Sequence, residues 1–224
     1  MLQRFFPAAF LLAILGFAAA PFLIGAAPYE STMGLVQKIF YFHATAGMTM
    51  FVAAIVAGIA SGRYLFGGTP GADRVAVAAT ELTVLFGSIV LVTGPLWARK
   101  AWGVWWDWEP RLTSSLLVWM MFTACLIVRK YGGPGSDKLA GAVALFGAAN
   151  VPFVYVSVNY WRTLHPKTTV VPMLGPGMRE PFWFCFAAFL MLFLVLLAVR
   201  VRVGEQETLV EQLYLERDID GREG

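Results

Sequence analysis

Six long apolar stretches constrain the fold of this 224-residue chain more than any other feature of its sequence. Each has about 17–23 residues, enough for an α-helix to cross a hydrocarbon core of about 30 Å. Backbone polar groups inside a bilayer must bond within the protein, so only helices or closed barrels span it. Barrel strands would alternate polar and apolar side chains, and these runs do not. The stretches are residues 8–27, 39–61, 75–96, 112–128, 139–157 and 182–199.

The proportion of charged residues, 14%, also indicates a membrane protein. Soluble domains carry about a quarter charged residues. We therefore predict an all-α membrane protein with six transmembrane helices in residues 1–202 and a tail at residues 203–224. The first stretch also resembles a cleaved secretory signal. It runs to Ala27, however, and is longer than the usual apolar core of about 7–15 residues, so we expect a retained helix.

The distribution of positive charge predicts the orientation. Six crossings place both termini on one side, and that side holds ten of the lysines and arginines against seven on the other. The positive-inside rule then favours cytoplasmic termini, although the outer number is unusually high and indicates that an anionic group is held there. The inner set is Arg4, Arg63, Arg74, Arg129, Lys130, Lys138, Arg200, Arg202, Arg217 and Arg222, and the outer set is Lys38, Arg99, Lys100, Arg111, Arg162, Lys167 and Arg179.

The second predicted outer loop contains the segment 102-WGVWWDWEPRLTSS-115. An ordinary interfacial belt would place tryptophans at both membrane surfaces. In this chain the inner surface has none, so the cluster indicates a surface for a flat ligand or a docking partner. Stacked aromatic contacts contribute about 0.5–1.5 kcal/mol each beyond burial. The candidate residues are Trp102, Trp105, Trp106 and Trp108, with Asp107, Glu109 and Arg111 placed to bind polar groups at its edge.

The chain has only two histidines, His43 and His165, and both are predicted on the outer side. Imidazole is a common iron ligand, and haem iron takes axial protein ligands. Two histidines from separate segments can fill both axial positions, whereas a zinc site wants three or four protein ligands. Nearby cations, such as Lys38 and Arg162, would pair with the two carboxylates of the porphyrin. The residues therefore predict a haem site with His43 and His165 as the metal ligands.

Two other classes of function remain open from the residues. One is a membrane redox subunit that uses haem or quinone, which would want a second cofactor in the bilayer, where no histidine is predicted. The other is a docking subunit that carries no haem. The phosphate-binding pattern GxxxxGK[ST] is missing, so any ATP hydrolysis must belong to another chain. We expect a binding subunit rather than an enzyme, and no nucleic-acid partner.

Three segments together resemble the haem exporter protein C (CcmC) family, one of the haem-handling families with a tryptophan-rich "WWD" signature. They are 40-FYFH-43, 102-WGVWWDWEPRLTS-114 and 150-NVPFVYVSVNYWRTLH-165, and the resemblance spans residues 28–185. The family usually has Asp where this chain has Glu109, and Asp107 falls at a variable position. The longer Glu109 side chain therefore predicts altered contacts at that point.

The resemblance implies a function in cytochrome c maturation. Members of this family bind haem b as cargo through the two histidines, with the WWD segment, here residues 97–114, as the floor of the site. They deliver it to the periplasmic haem chaperone CcmE, beside the ABC-type subunits CcmA and CcmB and the small protein CcmD, with ATP hydrolysed by CcmA. The implied location is the bacterial inner membrane, with the site facing the periplasm.

Overall fold

Six long α-helices form the fold, which we describe from a computed structural model covering residues 2–223, with side chains from 6 to 217. Each helix contains one predicted apolar stretch, and all six are long and apolar enough to cross a membrane. Within residues 2–223 there is no β-strand. The six-helix prediction is confirmed. The helices are α1 (Leu2–Ala26), α2 (Lys38–Gly67), α3 (Pro70–Trp102), α4 (Pro110–Tyr131), α5 (Ser136–Tyr160) and α6 (Arg179–Glu223), and a 3-10 turn (Leu35–Gln37) precedes α2.

The helices extend beyond the apolar stretches because their ends are set by local backbone chemistry. The sequence predicts an outer loop from about residue 97, but α3 continues to Trp102. It stops where Gly103 takes a φ of 77°, the left-handed conformation that commonly ends a helix. Pro70 and Pro110 begin α3 and α4, at the position where a missing N–H costs least.

Helix α2 lies at the centre of the bundle and packs against α3, α5 and α6. Its buried face is rich in small residues, including Ala53, Ala54 and Ala57. A Cβ atom at Gly58 would lie 2.3 Å from the Cβ of Ala148 on α5, so glycine is required for this approach. Close packing of small residues is the usual way that membrane helices associate. Helix α1 packs mainly on α6, at the edge of the bundle.

The connections fall at two opposite ends of the bundle. The turn end has the short links at residues 68–69 and 132–135, and the loop end has residues 27–37, 103–109 and 161–178. Ion pairs cross between helices at the turn end. Arg129 of α4 binds Asp73 of α3, and Arg200 Nε of α6 lies 2.6 Å from Glu81 Oε2 of α3. Glu81, an acidic residue inside an apolar helix, therefore has a specific cationic partner.

Helices α1 and α6 meet near the turn end, where Arg202 of α6 lies over the ring of Phe6 of α1, 5.0 Å from its centre. The tail continues α6 without a break, and the apolar residues Leu209, Val210 and Leu213 are exposed along it. Arg4 and Arg222, which belong to the predicted cytoplasmic set, lie outside the described side chains.

Candidate ligand-binding site

A cavity of about 570 Å³ opens at the loop end of the bundle. Its wall is built from α2, α3, α4, α5 and α6 together with the loop at residues 161–178. Cavities of about 300–1,000 Å³ are the usual size of sites for small molecules and cofactors. His43 and His165 both line this cavity, although they are far apart in the chain. The structure therefore brings the two histidines to one site on one side of the bundle.

His43 is oriented by a hydrogen-bonded chain between α2 and α3. Its Nδ1 lies 2.9 Å from the hydroxyl oxygen of Thr93, and that hydroxyl donates its only hydrogen to the Ile89 carbonyl at 2.7 Å. The Thr93 oxygen can then only accept from the ring, so Nδ1 of His43 carries the proton. Nε2 is left with a free lone pair. A Cβ at position 94 would lie 3.2 Å from His43 Cε1, so Gly94 leaves space for the imidazole.

His165 is held in the same tautomer by a different partner. Its Nδ1 lies 2.9 Å from the carbonyl oxygen of Pro166, which can only accept, so Nδ1 again carries the proton. Burial lowers the pKa of His165 to about 3, helped by the positive charge of Arg111 and opposed by the hydrogen bond to Pro166. His165 is therefore neutral at physiological pH. Both histidines of the cavity wall thus have an Nε2 lone pair available to a metal.

Aromatic rings form much of the cavity wall. Trp97 packs edge-on to His43, with ring centres 6.1 Å apart, and Trp102 packs on Trp97 at 5.7 Å. Trp106 and Trp183 also line the cavity. The indole N–H groups of Trp97 and Trp106 are buried without an acceptor among the described side chains. The wall is suited to a flat and largely apolar molecule.

The tryptophan segment is divided between the cavity and the surface. Residues 103–109 form an irregular link with bends at residues 103 and 105, so its side chains do not share one face. Trp102 and Trp106 line the cavity. Trp105 and Trp108 are 57% and 75% exposed, and Trp108 contacts the edge of Trp106 with ring centres 5.8 Å apart. Asp107 is exposed as well. Of the four predicted tryptophans, two therefore line the cavity and two face outward.

Glu109 is the most buried charged residue of the segment and bonds to the loop that carries His165. Only 5% of it is exposed. Its Oε2 accepts hydrogen bonds from the Thr163 hydroxyl and, at 2.7 Å, from the Leu164 backbone N–H. The Thr163 oxygen in turn accepts from the His165 N–H at 3.0 Å. The carboxylate thus bonds to the two residues directly before His165 and is not part of the cavity wall.

The cations of the loop end are also divided between the cavity wall and positions outside it. Arg111, predicted for the site, lines the cavity and donates to the carbonyls of Val154 and Tyr155 on α5 at 2.8 and 3.1 Å. Lys38 donates instead to the Ile24 carbonyl at 2.8 Å and to the Ala27 carbonyl, where it satisfies the end of α1. Arg162 is exposed and does not line the cavity.

Most residues of the wall were not predicted as site residues, and only the fold places them there. Lys167 and Arg179 supply cations, and Tyr155 and Trp183 supply rings. Arg179 donates to the Leu174 carbonyl at 3.3 Å at the start of α6. The excess of outer cations in the sequence was a signal for Lys167 and Arg179. It could not separate them from Arg162, because all three lie in the same outer region.

Comparison with known proteins places this chain in a family. A family model described as "Heme exporter protein C" matches residues 1–214. The chain is similar to the heme exporter protein C of Bradyrhizobium diazoefficiens, with 36% identity over 70% of this chain and 60% of that protein's length. It is 30% identical to the protein of the same name from Escherichia coli K12, over 86% of this chain and 82% of that protein. The chain belongs to the haem exporter protein C family.

Proposed function

We propose that this protein binds haem b in the cavity, with His43 and His165 as axial ligands, and delivers it to the periplasmic haem chaperone CcmE. The observation that carries the proposal is the placement of both histidines in the wall of one cavity, each with Nδ1 at 2.9 Å from an oxygen atom. Metal-bound histidines almost always donate the other ring nitrogen to an oxygen acceptor, as both do here. The function follows the names of the relatives, which are haem exporters.

The remaining wall supports a porphyrin rather than a bare metal ion. Haem has a broad apolar ring and two carboxylates at one edge. The indoles of Trp102 and Trp106 offer flat apolar surface, and stacking adds about 0.5–1.5 kcal/mol per contact. Arg111, Lys167 and Arg179 offer positive charge in the same wall. Charge-assisted bonds to carboxylate are roughly twice as strong as neutral ones, so these residues are suited to the carboxylate edge.

The predicted orientation agrees with this use of the site. We propose that the protein lies in the bacterial inner membrane with the loop end facing the periplasm and the turn end, with both termini, in the cytoplasm. The cavity then opens towards a periplasmic acceptor. CcmA, CcmB and CcmD are the proposed membrane partners, and ATP hydrolysis belongs to CcmA, since this chain lacks the phosphate-binding pattern.

The division of the tryptophans predicts separate effects on binding and delivery. Trp106→Ala removes part of the wall, so we expect less haem to copurify. Trp105→Ala with Trp108→Ala alters the exposed surface, so we expect normal haem content but transfer to CcmE slowed roughly tenfold or more, the size typical of aromatic hot spots. Replacing Trp105 and Trp106 together should impair both. The measurements are haem absorbance of the purified protein and covalent haem on CcmE over time.

Normal transfer by the Trp105→Ala, Trp108→Ala protein would contradict the role of the exposed tryptophans in delivery. A purified wild-type protein that binds no added haem would contradict the proposed function as a whole, and would favour a subunit that only docks a partner.

The Thr93 hydroxyl gives a second prediction, about the ligand His43. Thr93→Val keeps the shape of the side chain but removes the acceptor for Nδ1–H. Loss of such partners typically lowers metal affinity roughly 10- to 100-fold, and we expect a fall of that size in haem affinity. Thr93→Ser is the matched control because it retains the hydroxyl. Haem titration of both variants is the measurement, and equal affinities would contradict the assigned tautomer.

A further inference from the structure

We infer that Glu109 is a positioning residue for His165. It holds the tryptophan segment and the His165 loop together, so that the two segments move as one. The inference deepens the proposed function and rests on it, because it concerns the second axial ligand of the same site. It gives Glu109 a role different from the predicted one at the edge of the ligand. Glu109 acts through Thr163 and Leu164 and does not reach the cavity itself.

The first step of the argument is the local geometry of Glu109. It is the residue that precedes α4, a position where a side-chain oxygen usually accepts from the first backbone N–H groups of the helix. Glu109 makes no such bond. Its carboxylate turns to the neighbouring loop, while its backbone carbonyl accepts from the Thr113 N–H at 3.0 Å. The backbone thus fixes Glu109 to α4, and the side chain is free to hold another segment.

The second step is what this side chain holds. Both partners of Oε2 belong to residues 163–164, directly before His165. The Thr163 hydroxyl donates to Glu109 and accepts from the His165 N–H at 3.0 Å, so it links the backbone of His165 to the carboxylate. Arg162 and Leu164 are exposed, so their side chains do little to hold this part of the loop. The position of His165 therefore depends on the carboxylate.

The third step is energetic. A buried carboxylate is costly unless it is hydrogen-bonded. Its other oxygen, Oε1, is buried without a partner in the described part of the chain, so the two bonds at Oε2 are its hydrogen-bond compensation, beside the attraction of the Arg111 guanidinium. The carboxylate and the loop therefore stay together or separate together.

The fourth step compares the two ligands. His43 lies on a long helix at the centre of the bundle, and its partner Thr93 lies on another. His165 lies in a loop, bonded to its own neighbour Pro166 and to Thr163. The irregular link of residues 103–109 carries the exposed Trp105 and Trp108 and ends at Glu109. A displacement of this segment therefore withdraws His165 first and leaves His43 in place.

The experiment uses three variants of the full-length protein. Glu109→Ala removes both bonds to the loop. Thr163→Val is a milder variant that removes the bridging hydroxyl and keeps the bond from Leu164. Asp107→Asn is the matched control, because it also removes one carboxylate charge from the same segment, at an exposed position.

Hydrogen–deuterium exchange of the haem-free protein tests the bonds themselves. We expect faster exchange at the amides of Leu164 and His165 in Glu109→Ala, and at His165 in Thr163→Val, with the control equal to wild type. Unchanged exchange in both variants overturns the inference, whatever the protein binds. This arm needs no haem, so it is independent of the proposed function.

Absorption spectra of the haem-loaded proteins test the consequence for the ligand. In Glu109→Ala we expect ferric haem to lose its six-coordinate low-spin signature and haem affinity to fall roughly 10- to 100-fold, as for other lost partners of metal ligands. Added imidazole should restore the low-spin spectrum by occupying the vacated position. A low-spin spectrum in Glu109→Ala, alongside a changed spectrum in His165→Ala, would overturn the positioning role alone. A His165→Ala spectrum equal to wild type would instead contradict the proposed ligand pair.

Discussion

Alanine at either histidine of the cavity is expected to change the coordination of haem iron. His43→Ala and His165→Ala each remove one Nε2 lone pair, so six-coordinate low-spin haem should become five-coordinate. The fall in affinity should exceed the roughly 10- to 100-fold that is typical when only an outer partner of a ligand is lost. Oxidised and reduced absorption spectra of the detergent-purified variants are the measurement.

Added imidazole separates loss of a ligand from collapse of the site. It is expected to restore the low-spin spectrum in each single variant, because the replaced side chain leaves space beside the iron. Spectra of both variants that match wild type would contradict the ligand assignment. Because His43 is fixed between two helices and His165 lies in a loop, we further expect His43→Ala to lose more haem than His165→Ala.

Substitution of Arg111 is expected to have the second large effect, on stability and on binding together. Arg111→Leu removes one of the three cations of the wall and the two hydrogen bonds to the carbonyls of Val154 and Tyr155. A hydrogen bond that involves a charged group contributes about 1.5–3 kcal/mol, and Val154 keeps the Ser157 hydroxyl as a donor. Arg111 also packs over the ring of Phe51, 5.6 Å from its centre, so packing is lost as well. Thermal unfolding in detergent and haem titration are the measurements.

Two further variants make this prediction specific. Arg111→Lys keeps the charge but cannot place several donors in a fixed plane, so we expect partial loss of both properties. Arg162→Leu is the matched control, because Arg162 is an exposed cation of the same face that lies outside the cavity wall. Equal losses of haem affinity in Arg162→Leu and Arg111→Leu would contradict the distinction drawn between these cations.

The residues of the tryptophan segment illustrate how far the sequence could predict the site. The clustering of Trp102, Trp105, Trp106 and Trp108 predicts a site in this region, and of these four only Trp102 and Trp106 line the cavity. Residues 103–109 form an irregular link between the end of α3 and the start of α4. Which side chains point inward depends on where Gly103 ends one helix and Pro110 begins the next. No periodicity in the sequence reports that geometry.

The charged residues found at the site also differ from those predicted, for a related reason. Lys38 and Arg162 were predicted from their closeness in sequence to the histidines. Lys38 donates hydrogen bonds to carbonyls at the end of α1. Lys167 and Arg179 line the cavity in its place. Glu109 was predicted for the site, but its partners Thr163 and Leu164 are more than 50 residues away in the chain. Bonds across such separations follow from helix packing and leave no local signal.

By itself, the sequence determined the six helices, the common side of the two histidines, and the region where an aromatic site is built. These features depend on the length of each apolar run and on the order of the residues, because each segment must be long enough to cross the bilayer and must satisfy its own backbone hydrogen bonds. Tertiary structure alone decided which tryptophans and cations face the cavity, which tautomer each histidine takes, and that Glu109 holds the loop of His165. Those features depend on distances between segments far apart in the chain, and such distances exist only once the helices have packed.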